Sequence, residues 1–354
     1  MNDTPLAALD RRIATVHERL GRLPRYPLAM LPTPLEELRN LSRHVGGPRI
    51  LLKRDDMTGL AVGGNKTRML EFTLAKALSE GADAIIGTAS VQSNYCRQMC
   101  AAGRKAGLDV HLVLRKIRGQ RDEEIQGNYL LDVLMGAHVQ LIEPRDWSEH
   151  LAAVHAVRDR LRAAGKRPFI MRAANTEDTW LDAAGYANAM LEMVAQWRAL
   201  DVWPSHLFLC SSDTTQAGME VVAAYLGLEL TIIGIRPSIV GSSPSGGKPV
   251  MAQIANRLAA ELDLDLPAFD PDDLQLDPGY VGPGYGIPTP EGLAAIRLLA
   301  EQEAVFIDPV YSAKGFAGFL DYLRTGRIEP SEAVAFLHTG GVPSLFAYQR
   351  ELLG

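Results

Sequence analysis

Short β-like runs alternate with longer helical patterns along most of this chain, and few folds satisfy that alternation. The runs are Ala84–Thr88, Val110–Arg115, Val139–Ile142, Pro168–Met171, His206–Cys210, Leu230–Ile235 and Ala333–Leu337. Between them lie helical patterns over Asn65–Glu80, Asn94–Gly107, Gly127–Gly136, Glu149–Gly165, Thr176–Leu200 and Thr215–Leu226. Repetition of this kind predicts parallel sheets joined by crossover helices, an open α/β architecture. At 354 residues the chain exceeds the roughly 250–300 at which single cores stop growing, so two lobes are expected. Ligands of such sheets gather where strands end and helices begin, and the informative residues should sit at those corners.

Hydrophobic residues make up 47% of the chain and aromatic ones only 6%, which suits aliphatic side chains lining strands buried on both faces. Lys and Arg number 36 against 42 Asp and Glu, a net charge of -6. That balance supplies no general attraction to nucleic acid or to an anionic membrane, and neither is expected as a partner. No stretch approaches the roughly 20 apolar residues of a membrane span. The N-terminal segment MNDTPLAALDRRIATVHERL is too charged for a signal peptide. Three cysteines cannot form a disulfide framework, and no second ligand pair accompanies Cys96 and Cys100. They read as small buried hydrophobes in a reducing cytosol. A cytoplasmic protein without a bound metal is expected.

Five corners carry residue types suited to chemistry. Gly63-Gly64-Asn65-Lys66-Thr67-Arg68 opens a helical pattern with Leu70, Leu74 and Leu78 on one face. The positive end of a helix disfavours a cation, so Lys66 in a first turn is biased toward the neutral amine that attacks carbonyls. A lone lysine is more commonly a solvated surface group. Val91-Gln92-Ser93-Asn94 lies between a β-like run and a helix, where hydroxyls and amides receive anions such as a carboxylate. Plain N-capping by Ser93 or Asn94 is the simpler alternative. The stretch CSSDTTQAG from Cys210 runs strand, hydroxyl-rich turn, helix, the layout of a phosphate cradle without its usual glycines. The fourth and fifth corners are Asp308-Pro309-Val310-Tyr311-Ser312 and His338-Thr339-Gly340-Gly341. Two Gly- and Pro-rich stretches, Pro237–Pro249 and Pro278–Pro290, predict shaped loops, and the second holds two tyrosines.

Taken in order, LLKRDDMTGLAVGGNKTR, VQSN, TTQAGM, PGYGIPTPEG, DPVYSAKG and FLHTGGVPSLFAY resemble the D-cysteine desulfhydrase and 1-aminocyclopropane-1-carboxylate deaminase family, from about Pro24 onward. The resemblance implies the tryptophan synthase β-like fold, fold type II of pyridoxal-phosphate (PLP) enzymes, with two open parallel-sheet α/β domains. The small one would span 67–174, and the large PLP-binding one 1–66 with 175–354. Pyridoxal 5'-phosphate as cofactor, a small amino acid as substrate and a homodimer are implied as well. By the same resemblance, Lys66 corresponds to the lysine that forms a Schiff base with the cofactor and carries protons. Asn94 corresponds to the residue bonding the pyridine 3-oxygen, and Ser93 to the hydroxyl beside the substrate. Both would receive the substrate carboxylate, with Tyr95 next to them. Tyr285 and Tyr311 match active-site tyrosines that bind substrate and handle protons. Ser212, Asp213, Thr214 and Thr215 match the phosphate loop, and Ser312 and Thr339 the positions facing the pyridine nitrogen.

Those last two positions separate subfamilies. Ring-opening deaminases resemble DPVYEG and HLGG, with a carboxylate toward the ring nitrogen. A hydroxyl there holds the ring proton less strongly, which suits direct elimination of a good leaving group. The implied activity is therefore α,β-elimination, D-cysteine desulfhydrase-like or cysteate sulfo-lyase-like, giving pyruvate and ammonia. Two alternatives stand beside it: a 1-aminocyclopropane-1-carboxylate deaminase-like or other deaminase or isomerase with an atypical substrate, and a non-catalytic ligand-binding relative with a degraded phosphate site. Four departures from the family pattern raise them. Met69 replaces a lysine that contacts phosphate in some members, and Asp213 replaces a glycine of the phosphate loop. Tyr95 stands where His or Gln commonly follows QSN, and Arg172 to Asp178 has no clean match to a GGSN-like substrate loop.

Overall fold

All seven expected runs are strands in the computed structural model, which describes residues 5–117, 124–171, 177–211, 213–238 and 246–354. The N-terminal third contains α1 (Pro5–Gly21), β1 (Leu35–Glu37), α2 (Arg39–His44), β2 (Arg49–Arg54), α3 (Lys66–Ser79), β3 (Ala84–Ser90), α4 (Asn94–Lys105) and β4 (Asp109–Arg115). Next come α5 (Gly127–Leu134), β5 (His138–Ile142), α6 (Trp147–Ala163), β6 (Pro168–Ile170), α7 (Thr179–Leu200), β7 (His206–Cys210) and α8 (Thr214–Leu226). The remainder is β8 (Thr231–Ile235), α9 (Lys248–Glu261), β9 (Gln275–Asp277), α10 (Pro290–Glu303), α11 (Ser312–Arg324), β10 (Ala333–His338) and α12 (Gln349–Leu353). No helix among the described residues is long and apolar enough to cross a membrane.

The strands form two sheets. One has the order β1-β2-β10-β7-β8-β9, parallel throughout except for the β1–β2 edge. The other, β5-β4-β3-β6, is wholly parallel. Successive side chains of a strand point to opposite faces, and each sheet accordingly has a core on both sides. On β10, Ala335 and Leu337 enter the core under α7, α8 and α9, whereas Val334 and Phe336 pack with Phe316 and Phe319 of α11. On β3 and β4, Ile85, Val110, Leu112 and Leu114 face α4, whereas Ala84, Ile86 and Val113 face Val154 and Val157 of α6. Burial on both faces explains why these strands read as aliphatic runs.

A buried ionic cluster locks α3 onto β2 and α7. The Arg68 guanidinium donates to both carboxylate oxygens of Asp55, at 2.9 Å each, and to Glu192 at 2.9 and 3.0 Å. Lys53 donates to Glu192 at 2.5 Å, to Gln196 at 2.7 Å and to the Thr33 carbonyl at 2.8 Å. Tyr186 donates to Asp55 at 2.7 Å. The helices approach closely at Gly185, where any Cβ would collide with the Arg68 carbonyl.

Burial opposes the charge on Asp55, but the Arg68 guanidinium overrides it and holds the carboxyl below its usual range. A depressed carboxyl stabilises the fold above its unfolded value, about 3.9, and that contribution is lost as pH falls below it. Asp55→Asn leaves Arg68 under-compensated, and removing one partner of a buried pair costs about 3–5 kcal/mol. Urea denaturation at pH 7 should register that loss, and the gap to wild type should narrow below about pH 4.

Candidate active site

The C-terminal ends of β3, β4, β7 and β8 and the residues that follow them surround a cavity of about 600 Å³, lined from both sheets. Lys66 lines it as the first residue of α3. The turn that delivers Lys66 is tightly built. Thr58 Oγ1 accepts from Gly64 N and donates to Gly64 O, both at 2.8 Å. Asn65 N donates to the Thr339 carbonyl at 3.0 Å, and Asn65 Nδ2 to Thr215 Oγ1 at 3.2 Å. Ala61 and Val62 hold left-handed φ values of 44° and 70°, a conformation costly for side chains with Cβ. Arg97 of α4, fully buried, offsets that cost by donating to the Ala61 and Gly63 carbonyls. Gly63 has φ of 71°, and a Cβ there would overlap the Asp56 carbonyl.

Ser93 caps α4 and lines the cavity, its Oγ accepting from Cys96 N at 3.1 Å. Asn94 is oriented from behind. Asn128 Nδ2 donates to Asn94 Oδ1 at 2.8 Å and to the Gln92 carbonyl at 2.9 Å, and Asn128 N donates to Gln92 Oε1 at 3.0 Å. With its oxygen engaged, Asn94 offers the cavity its NH2 donors.

The facing wall carries the tyrosines. Tyr285 OH is hydrogen-bonded to Ser90 Oγ at 2.7 Å and to Tyr311 OH. Burial raises both phenols, so each keeps its proton. The loop bearing Tyr285 is gripped by Lys314 of α11, whose buried ammonium donates to the carbonyls of Val281 (2.7 Å), Gly284 (3.0 Å) and Pro237 (3.3 Å). Tyr311 N and Val310 N donate to Asp308 Oδ1 at 2.6 and 2.7 Å. Burial pushes the Cys210 thiol up, which leaves no thiolate nucleophile at the end of β7.

Nine of the residues expected from sequence therefore line one cavity: Lys66, Ser93, Asn94, Tyr95, Asp213, Thr215, Tyr285, Tyr311 and Thr339. Two do not. Ser312 Oγ is turned away, donating to Asp308 Oδ2 at 3.0 Å and accepting from Asp308 N at 2.8 Å. Thr214 begins α8 with its hydroxyl buried. Ser212 lies outside the described residues, as does most of the Arg172 to Asp178 stretch. Sequence reasoning missed Arg97, Asn128 and Lys314, which act from behind the lining. It also missed Arg115, Arg236 and His150, which line it but belong to no motif.

The pyridoxal-phosphate dependent enzyme family model matches residues 27–340. The chain belongs to that family. Its cofactor is pyridoxal 5'-phosphate, and it is an enzyme of the lyase branch that the sequence resemblance implied. D-cysteine desulfhydrase of Klebsiella pneumoniae (strain 342) is 36% identical over 341 residues, covering 95% of this chain and 99% of the relative. 1-Aminocyclopropane-1-carboxylate deaminase of Burkholderia ambifaria (strain MC40-6) is 37% identical over 341 residues, covering 93% and 97%. A solved structure described as an ACC deaminase homologue superposes with a TM-score of 0.84 at 31% identity, covering 96% of this chain and 98% of that one. A solved threonine deaminase, at 18% identity and a TM-score of 0.63 over 94% and 97%, shares the fold. The architecture is thus that of fold type II enzymes, as expected.

The residues present fit the cofactor. At the start of α8 the hydroxyls of Ser211 and Thr214 are buried and have no hydrogen-bond partner among the described residues. Such donors at a helix N-terminus suit a phosphate. Asp213, the unexpected acid, is the N-cap of α8, its carboxylate accepting from Thr214 N at 2.5 Å. Met69 lies in the apolar core with α7 and α8 rather than on the cavity wall, and Arg236, just after β8, supplies a cation on that wall. The tyrosine wall depends on Lys314. Lys314→Met removes the donors from three carbonyls and should cost about 1–3 kcal/mol. Hydrogen exchange should quicken across 279–286 while α4 and α8 stay protected.

Proposed function

We propose that this enzyme removes a leaving group from the β-carbon of a small amino acid and releases pyruvate and ammonia. Cysteine-like and cysteate-like compounds are the substrate class. The observation that carries the reading is the convergence of Lys66, the Ser93–Asn94 helix start and the Tyr285–Tyr311 pair on one cavity. Bound pyridoxal 5'-phosphate supplies the electron sink that makes the substrate's α C–H acidic. Asn65, Ser211, Thr215 and Arg236 are suited to hold its phosphate end, and Asn94 its ring oxygen. Lys66 Nζ takes the α-proton and returns it. Ser93 and the first amides of α4 receive the α-carboxylate. The Tyr285–Tyr311 pair, protonated by burial, delivers a proton to the departing group. For cysteine the balance is one water consumed, with pyruvate, ammonia and hydrogen sulfide formed.

A second reading, ring opening of 1-aminocyclopropane-1-carboxylate, is favoured by the 37% identical relative. We further propose a homodimer, supported by the exposed apolar Leu134 and Phe346 and checked by sedimentation velocity. A reducing, cytoplasmic location is supported by three cysteines that are all free; cell fractionation tests it. The lobe boundaries 67–174 and 1–66 with 175–354 are supported by the origin of the four-stranded sheet between Ala84 and Ile170, and limited proteolysis tests them.

The reading is tested by incubating purified enzyme with D- and L-cysteine, cysteate and 1-aminocyclopropane-1-carboxylate. Pyruvate and ammonia in equal amounts are expected from cysteine and from cysteate. Formation of 2-oxobutyrate alone would establish the second reading instead. Lys66→Ala should lower turnover about 10²–10⁴-fold, the usual share of general acid–base catalysis.

A further inference from the structure

We infer that Arg115 is a specificity-determining residue that receives an anionic side chain, so that the preferred substrate carries an oxyanion such as a sulfonate on its β-carbon. The inference rests on the lyase reading and sharpens it to one substrate class.

Arg115 is the last residue of β4 and lines the cavity. In the parallel register it lies opposite Ser90 of β3, whose hydroxyl bonds Tyr285. Its guanidinium carbon sits 5.7 Å from the centre of the Tyr285 ring. Beyond that stacking, no carboxylate or carbonyl among the described residues accepts from the guanidinium. Three other inward-facing arginines behave differently. Arg68 is bound to two carboxylates, Arg54 to Asp56 and Glu36, and Arg97 to two carbonyls.

Neither His150 nor Tyr285 beside Arg115 adds a compensating charge. His150 gives its Nε2 proton to Thr88, because the Thr88 hydroxyl already donates to the Val113 carbonyl. Burial first, and Arg115 second, hold His150 down to about 4, so its ring is neutral. Tyr285 keeps its proton. A guanidinium in a recess offers a planar fork of donors that matches a carboxylate, sulfonate or phosphate in two parallel bonds. The amino-acid end belongs to Lys66 and to the start of α4, and Arg115 stands beside the tyrosine wall, where the β-substituent must lie. An uncharged thiol or methyl group would leave those donors without an acceptor.

The test compares cysteate with its neutral methyl sulfone counterpart, S-methylcysteine S,S-dioxide, each as both enantiomers. Change in the visible cofactor band of the loaded enzyme gives an apparent Kd for each ligand, whether or not turnover follows. Wild type should bind one enantiomer of cysteate about 10–100-fold more tightly than the sulfone, the span of a charge-assisted hydrogen-bonded pair. Arg115→Gln should abolish that preference by weakening cysteate and not the sulfone. If that variant does not fold, Arg115→Lys keeps a cation near Tyr285 and loses the fork, and it should weaken cysteate alone. Equal affinities in wild type, or a preference that survives Arg115→Gln, or Arg115→Lys where it is used, would overturn the inference. A protein that prefers cysteate yet releases no pyruvate keeps this inference and loses the lyase reading. One that consumes cysteine with no preference for the anion does the reverse.

Discussion

The position of Lys66 depends on the charge cluster around Arg68, two residues further along α3. Arg68 and Lys53 supply two positive charges, and Asp55 and Glu192 two negative ones, so the buried set is close to neutral. Burying four charges costs several kcal/mol each before pairing, and an apolar filling of the same volume would do as well for stability alone. What the ionic set adds is direction. A bidentate guanidinium accepts one orientation of its carboxylate, and Asp55 is anchored just after β2 while Glu192 lies on α7. Rotation of α3 about its axis would break both at once, and with them the aim of the lysine at its first turn.

Around the cavity the same device recurs in another form. Arg97 and Lys314 are buried cations whose acceptors are backbone carbonyls rather than carboxylates. Burial lowers both, Arg97 to about 10, which leaves that guanidinium charged near neutrality. A cation that gathers several carbonyls can hold an irregular loop whose amides face elsewhere. That is the problem posed by the left-handed turn at Ala61–Gly64 and by the glycine-rich loop bearing Tyr285. The strain in the first turn is thus stored beside Lys66 and balanced from α4, the helix whose N-terminus forms the opposite part of the cavity wall.

Much of this was legible in the sequence. Strands buried on both faces, such as Ala84–Ser90 and His206–Cys210, read as uninterrupted aliphatic runs, and the corners after them carried the site. Strand β2 is hard to read because arginines bound it and Lys53 lies inside it, and the burial of Lys53 depends on a partner more than 100 residues away. Strands β1 and β9 are three-residue edges with no periodicity to detect. Nine expected residues meet at one cavity, and each sits in a local motif. Arg115 and His150 do not, and nothing near them in sequence distinguishes a cavity-facing arginine from a solvated one. Ser312 shows the opposite case: it sits in a motif, but its hydroxyl is engaged by Asp308, four residues before it.

Asp213 illustrates how position decides the sign of a charge's effect. Taken as a bare anion 4 Å from a phosphate, it repels by about 1 kcal/mol in water and about 4 at an effective dielectric of 20. As the N-cap of α8, however, its carboxylate already answers the helix's positive end through Thr214 N. A phosphate held there would meet a helix start that is partly neutralised, and the balance would shift to donors that the carboxylate does not use. Those are the buried hydroxyl of Ser211 and the guanidinium of Arg236 just after the neighbouring strand. A site arranged in this way relies on side-chain donors where a glycine loop would rely on bare amides. Its cofactor affinity should then be more sensitive to Arg236 than to Met69, which lies in the core.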